Sequence, residues 1–162
     1  MASISYNQII EASRAFQIAH YKLKGFGNGP LSDKVLHNQV ESFKYPLMWM
    51  EDLTMPLEPN IEVFAFRVSF HSIPATLKDR GTDLMSTNVN EVKSDMIKCA
   101  KDFLAYWLTG TDQTYPTLYI EENANIQPFE DLTPDRLAGA YIDIRFKQAW
   151  DANSCAIPMA QI

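Results

Sequence analysis

The segment IEVFAFRVSF, residues 61–70, constrains the fold of this chain more than any other part of its sequence. One set of alternate residues is wholly apolar, which is the period of a β-strand with a buried face: Phe64, Phe66, Val68 and Phe70. The opposite set changes from apolar to polar along the strand: Ile61, Val63 and Ala65, then Arg67, Ser69 and His71. We therefore expect both faces to be covered where the strand begins and only one where it ends.

Two amphipathic helices are predicted, one before this strand and one after it. The first covers residues 5–23, opens with the spacing of a capping box and carries an apolar stripe. The glycine-rich segment 25–30 should end this helix as a flexible exit loop. The second helix begins after Asn88 or Asn90, carries a broad apolar stripe and should stop at Gly110.

Three further strands complete the predicted sheet, at residues 45–51, 117–122 and 138–148. Segment 125–137 is expected to be irregular, because Pro128 and Pro134 cannot donate ladder hydrogen bonds. This order of elements predicts an α+β fold with a mostly antiparallel or mixed sheet and both main helices packed on one face. We expect a single domain, residues 1–162, with a long loop at 72–89 and a C-terminal arm at 149–162.

The composition argues against several classes of protein. The net charge is −6 and the fourteen basic residues are scattered, so no basic stripe is available to hold a nucleic-acid backbone. The chain has neither the pattern of a signal peptide nor the roughly 18 apolar residues of a membrane span, so we expect neither export nor insertion. Cys99 and Cys155 are too few for a zinc cluster or a disulfide framework, which favours a reducing compartment.

The chemistry-bearing residues form no motif of a catalytic or cofactor site. Segment 25–30 lacks the Walker pattern and the dinucleotide fingerprint, and it follows a helix instead of a strand. Neighbouring acidic residues such as Glu121 and Glu122 point to opposite faces of a strand, which suits a solvated edge better than acid–base catalysis. The three histidines lie in different elements and have no metal ligand at i+4: His20, His37 and His71. We therefore predict no catalytic, cofactor-binding or metal-binding residue and no enzyme activity.

The order of elements, the acidic character and two segments together resemble small structural proteins of tailed bacteriophages. The segments are the helix NEVKSDMIKCAKDFLAYWL, which follows a long loop, and the closing AGAYIDIRFKQAWDANSCAIP. In this the chain is similar to the tail-terminator or neck-ring (head–tail joining) family, whose members have an α+β sheet flanked by helices. The closing segment also resembles C-terminal strands of such proteins in phages of Bacteroidetes, including crAss-like phages.

The resemblance implies a virion structural protein of the neck or tail, assembled in the host cytoplasm. It implies a homo-oligomeric ring, often six- or twelvefold, between the connector or portal and the tail, with DNA passing through the lumen without specific binding. By the same analogy, the long loop and the C-terminal arm supply contacts between subunits and between rings. The interface candidates are Leu77, Arg80, Met85, Asp143, Arg145 and Trp150.

Two other classes of function stay open. One is a small α+β ligand-binding domain or enzyme that uses the open face of the sheet. Its polar candidates are Arg67, His71, Asp143 and Arg145, although alternation of such residues with apolar ones is also what a solvated face produces. The other is an adaptor or chaperone with a peptide groove.

Overall fold

The computed structural model describes residues 3–30, 44–75, 87–110, 118–121, 124–130 and 137–150. Within these ranges two helices pack on a mixed seven-stranded sheet, which confirms the predicted α+β class. The elements follow in the order α1 (Tyr6–Ala19), β1 (Gly25–Asn28), β2 (Leu47–Asp52), β3 (Leu57–Glu58), β4 (Ile61–Ser72), α2 (Val89–Gly110), β5 (Tyr119–Ile120), β6 (Ile126–Glu130) and β7 (Ala138–Ala149).

The sheet is built around one long antiparallel pair. Strands β4 and β7 pair over twelve residues, from Ile61 opposite Ala149 to Ser72 opposite Ala138. The strand order is β1-β2-β4-β7-β5, with β3 also paired to β4 and β6 also paired to β7. Strand β1 lies parallel to β2 and forms one edge, whereas β5 and β6 pair with successive stretches of β7 and share the other edge.

Both helices cover the sheet face that carries the predicted aromatic set of β4. The rings of Phe16 in α1 and Phe103 in α2 meet edge-on, with centroids 5.3 Å apart, and Phe103 lies 5.9 Å from Phe70. Trp107 of α2 is 1 % exposed, and its ring centroid lies 4.6 Å from that of Phe146 in β7. Burying each such aromatic side chain contributes about 2–3 kcal/mol, so this face is the core of the fold.

Helix α1 begins as predicted but ends earlier. The Ser5 hydroxyl accepts a hydrogen bond from the Gln8 backbone, and the Gln8 side chain accepts one from the Ser5 backbone, which is the expected capping box. The helix ends at Ala19, because His20 has extended backbone angles and its N–H closes the last turn. Leu23, whose spacing suggested a longer helix, lies in the segment after the helix and is buried there.

Two segments predicted to be irregular are strands. The first is β1, in which Gly27 allows close packing and does not serve flexibility: a Cβ there would lie 2.1 Å from the Trp49 ring. The Trp49 indole N–H also donates to the Gly29 carbonyl at 2.9 Å. The second is β6, where Pro128 stands opposite Ala140. An edge strand tolerates this proline because the missing N–H would point away from the sheet.

Candidate functional site

The face of the sheet opposite the helices, here called the open face, carries a ladder of paired charges. Arg67 of β4 and Asp143 of β7 stand directly opposite each other and form two hydrogen bonds, at 2.8 and 2.9 Å. The Arg67 guanidinium also lies 4.4 Å from the centroid of the Tyr141 ring. The hydrogen bond to Asp143 raises the pKa of Arg67, so the guanidinium stays charged.

The adjacent stretch of the open face forms a shallow groove of about 280 Å³, lined by Glu121, Ala124, Asp143 and Arg145. Glu121 lies 3.7 Å from Arg145 and 3.5 Å from Lys147. The charged side chains that line the groove are therefore already ion-paired within the chain. Exposed pairs of this kind contribute little stability and keep a surface solvated, so the groove does not present an unpaired charge to a ligand.

His71 does not join the other polar candidates of the open face. It lies four residues beyond Arg67 along β4, about 13 Å away at the rise of an extended strand. It is 1 % exposed, and its ring centroid lies 6.1 Å from that of Tyr45 and 6.2 Å from that of Phe129. Ser69 is also buried. The prediction that this end of β4 is covered on only one face is therefore wrong.

Burial also sets the chemistry of two potentially reactive side chains. Removal from water lowers the pKa of His71 to about 4, and neither ring nitrogen has a hydrogen-bond partner among the described residues. The Cys99 thiol lies on the inner side of α2 and is buried in the core, which raises its pKa to about 11. A thiol of this kind is inert at neutral pH.

Three large apolar side chains are exposed at the end of the sheet where β7 finishes, and together they are called the apolar rim. Leu57 is 70 % exposed, Tyr119 57 % and Trp150 38 %. Tyr119 stands opposite Lys147, and the Trp150 backbone N–H donates to the Asn60 carbonyl at 2.9 Å. Leu57 stands opposite Glu62, on the side of the helix-covered face, and Tyr119 stands on the open face, so the apolar rim borders both faces at this end of the sheet.

The structure places three of the six predicted interface residues. Asp143 and Arg145 lie in the ion-paired ladder, and Trp150 belongs to the apolar rim. The other three, and the arm beyond residue 150, lie outside the described residues: Leu77, Arg80 and Met85. The described base of the 72–89 loop is closed by Ala75 and Asn88, which exchange hydrogen bonds of 2.6 and 3.0 Å.

Sequence reasoning missed two members of the apolar rim. Leu57 follows Pro56 in an acidic segment, and only the pairing of β3 with β4 places it beside the start of β4, on the side away from β7. Tyr119 occupies the outward position of a two-residue strand in which Ile120 is buried. The alternation of Tyr119 with Ile120 in the sequence indicates that one of the two side chains points outward. Only the register with β7 shows where in the fold that side chain lies.

Comparison of the sequence with protein-family models and with curated proteins gives no match. In the part of the chain that the structure describes, no group of three or more acidic, histidine or cysteine side chains is arranged to hold a metal ion. No helix in that same part is long and apolar enough to cross a membrane.

Proposed function

We propose that this protein is a structural subunit of a homo-oligomeric ring in the neck or tail terminator of a tailed bacteriophage. In that position it joins the connector to the tail and lets DNA pass. The observation that carries the proposal is the apolar rim, because burial of Leu57, Tyr119 and Trp150 against another chain would remove exposed apolar surface from water.

The character of the rim supports a contact between proteins. Aromatic side chains are enriched at the centres of protein interfaces, and tryptophan and tyrosine are frequent energetic anchors there. Trp150 and Tyr119 are both of this type, and they flank the end of the central strand pair. A rigid sheet end offers such anchors at low entropic cost, because their backbone is already fixed by pairing.

The open face supports a role beside DNA without specific binding. Its described residues comprise three cations and four anions: Arg67, Arg145 and Lys147 against Glu51, Glu58, Glu121 and Asp143. Tight binding to a phosphate backbone requires unpaired basic groups, and the basic groups of this face all lie beside carboxylates that outnumber them. A lumen lined by such a surface would let a duplex slide past.

Light scattering and negative-stain electron microscopy of the purified protein test the proposal. We expect rings with a central hole and one fixed number of subunits. Trp150→Ser should lower the fraction of rings, whereas Ile73→Ser should not, because Ile73 is also exposed but follows the opposite end of β4. A protein that remains monomeric up to millimolar concentration, also after addition of connector and tail proteins, would contradict the proposal.

A further inference from the structure

The two edges of the sheet differ in their capacity to accept another strand. Strand β6 carries Pro128 at its centre, which removes a donor from that part of its edge. Strand β1 at the other edge, with the sequence GFGN, contains neither proline nor a charged residue. Charges and prolines are the usual means by which proteins block edge strands. In the described residues no strand pairs with the outer side of β1 or β5.

The hydrogen bonds of β1 show which of its backbone groups face outward. Gly25 donates to the Pro46 carbonyl at 3.3 Å, and Gly29 donates to the Met50 carbonyl at 3.0 Å. Backbone groups alternate in direction along a strand. The odd-numbered residues therefore face β2, and the N–H and C=O groups of Phe26 face away from the sheet.

The same reasoning identifies the outward position of β5. The Glu121 N–H donates to the carbonyl of Arg145 in β7 at 3.1 Å, so residue 121 faces inward. Ile120, one residue earlier, therefore directs its N–H and C=O groups away from β7. Both Phe26 and Ile120 project their side chains to the helix-covered face and pack with the core cluster.

We propose that the β1 edge of one copy pairs antiparallel with the β5 edge of the next copy, with Phe26 opposite Ile120. The proposal rests on the ring function proposed above and names the contact that closes the ring. Strands β1 and β5 occupy opposite edges, so the pairing is head-to-tail, which is the kind of contact that generates rings. The two strands run in opposite directions within one chain. If the sheet continues from copy to copy around the ring, β1 of one copy is therefore antiparallel to β5 of the next.

The charges around β1 select this register. Opposite Gly25 it places Glu121 of the next copy, which also contacts Arg145 and Lys147 of its own chain. Lys24 and Lys44 lie next to Gly25, are exposed, form no ion pair within the described residues, and would add two further cations around this carboxylate. A register shifted by two residues toward the end of β1 would place Tyr119 opposite Gly29, where a φ of +120° ends the strand geometry. Pairing of β1 with β1 of a second copy would instead bring like charges together, which is unfavourable.

Disulfide trapping tests the register directly. Residues in a hydrogen-bonded antiparallel pair have Cα atoms about 5.5 Å apart, within the range that a disulfide spans. In a Cys155→Ser background, we expect oxidised Phe26→Cys/Ile120→Cys protein to give a ladder of cross-linked multimers up to the ring size. The matched control, Phe26→Cys/Gln127→Cys, places the second thiol on the proline-blocked strand and should give at least tenfold less product.

A second pair of variants avoids changes to the core. Reversing two charges in Lys24→Glu/Lys44→Glu should abolish rings while the monomer stays folded. The control Arg14→Glu/Lys101→Glu makes the same change in net charge at exposed positions of α1 and α2 and should retain the rings. Rings in the wild type with no cross-link and no effect of charge reversal would overturn this contact and leave the ring function standing. Cross-linked dimers alone would overturn head-to-tail pairing. Absence of wild-type rings would instead count against the proposed function.

Discussion

The buried imidazole of His71 should make the protein sensitive to acid. Its surroundings are aromatic, with Tyr45 and Phe129 as the rings in contact, and Tyr45 is the titratable group among them. No described group hydrogen-bonds either ring nitrogen. The folded protein therefore holds the neutral form, and burial lowers the pKa of His71 from 6.5 to about 4.

The sign and size of the effect follow from this difference. Because the folded pKa lies below the unfolded one, the unfolded chain takes up the proton first as the pH falls. The stabilising contribution of neutral His71 to the free energy of unfolding is complete above pH 6.5 and is lost progressively as the pH falls to about 4. At about 1.4 kcal/mol per pH unit, the free energy of unfolding should fall by about 3 kcal/mol across that interval.

Urea unfolding followed by tryptophan fluorescence, at about pH 7 and about pH 4, measures this loss. The His71→Phe variant keeps a ring but cannot titrate, so the difference in unfolding free energy between wild type and variant should change by about 3 kcal/mol between the two pH values. Carboxylates titrate equally in both proteins and cancel. Ser69→Ala, altered two residues away, should follow the wild type. Parallel pH dependences for wild type and His71→Phe would refute the reasoning.

Three further substitutions test individual contacts by urea unfolding. The Gln148 side chain is hydrogen-bonded to the N–H and C=O of Ile4, at 2.8 and 2.7 Å. Gln148→Ala leaves both groups without these partners and should lower the free energy of unfolding by about 3 kcal/mol. A decrease below about 1 kcal/mol would contradict this. Gly139→Ala places a Cβ 1.9 Å from the Phe70 carbonyl oxygen of β4 and should lower the free energy of unfolding by about 3 kcal/mol. An unchanged free energy of unfolding would show that β4 and β7 can move apart at this position without loss. Asp143→Asn weakens the exposed pair with Arg67 and should cost below about 1 kcal/mol; a larger loss would mean that solvent does not screen it.

Local chemistry was enough to predict the long elements. The capping box at Ser5, the apolar stripe of α2 and the alternation of β4 and β7 appear where the sequence placed them, because period and capping depend on near neighbours. The edge strands β1 and β6 were missed, because glycine and Pro128 disfavour a strand locally. Their strand geometry comes from pairing with β2 and β7, which are distant in sequence.

The sequence by itself determined the fold class, the core face of the sheet and the absence of a recognisable catalytic motif. Only the tertiary structure decided where polar side chains lie. Arg67 and Asp143 are 76 positions apart, and the register of β4 and β7 makes them partners. His71 is buried because aromatic rings from two other segments pack against it. The physical reason is that periodicity fixes which face a side chain occupies, whereas its partners and solvent exposure depend on contacts between distant parts of the chain.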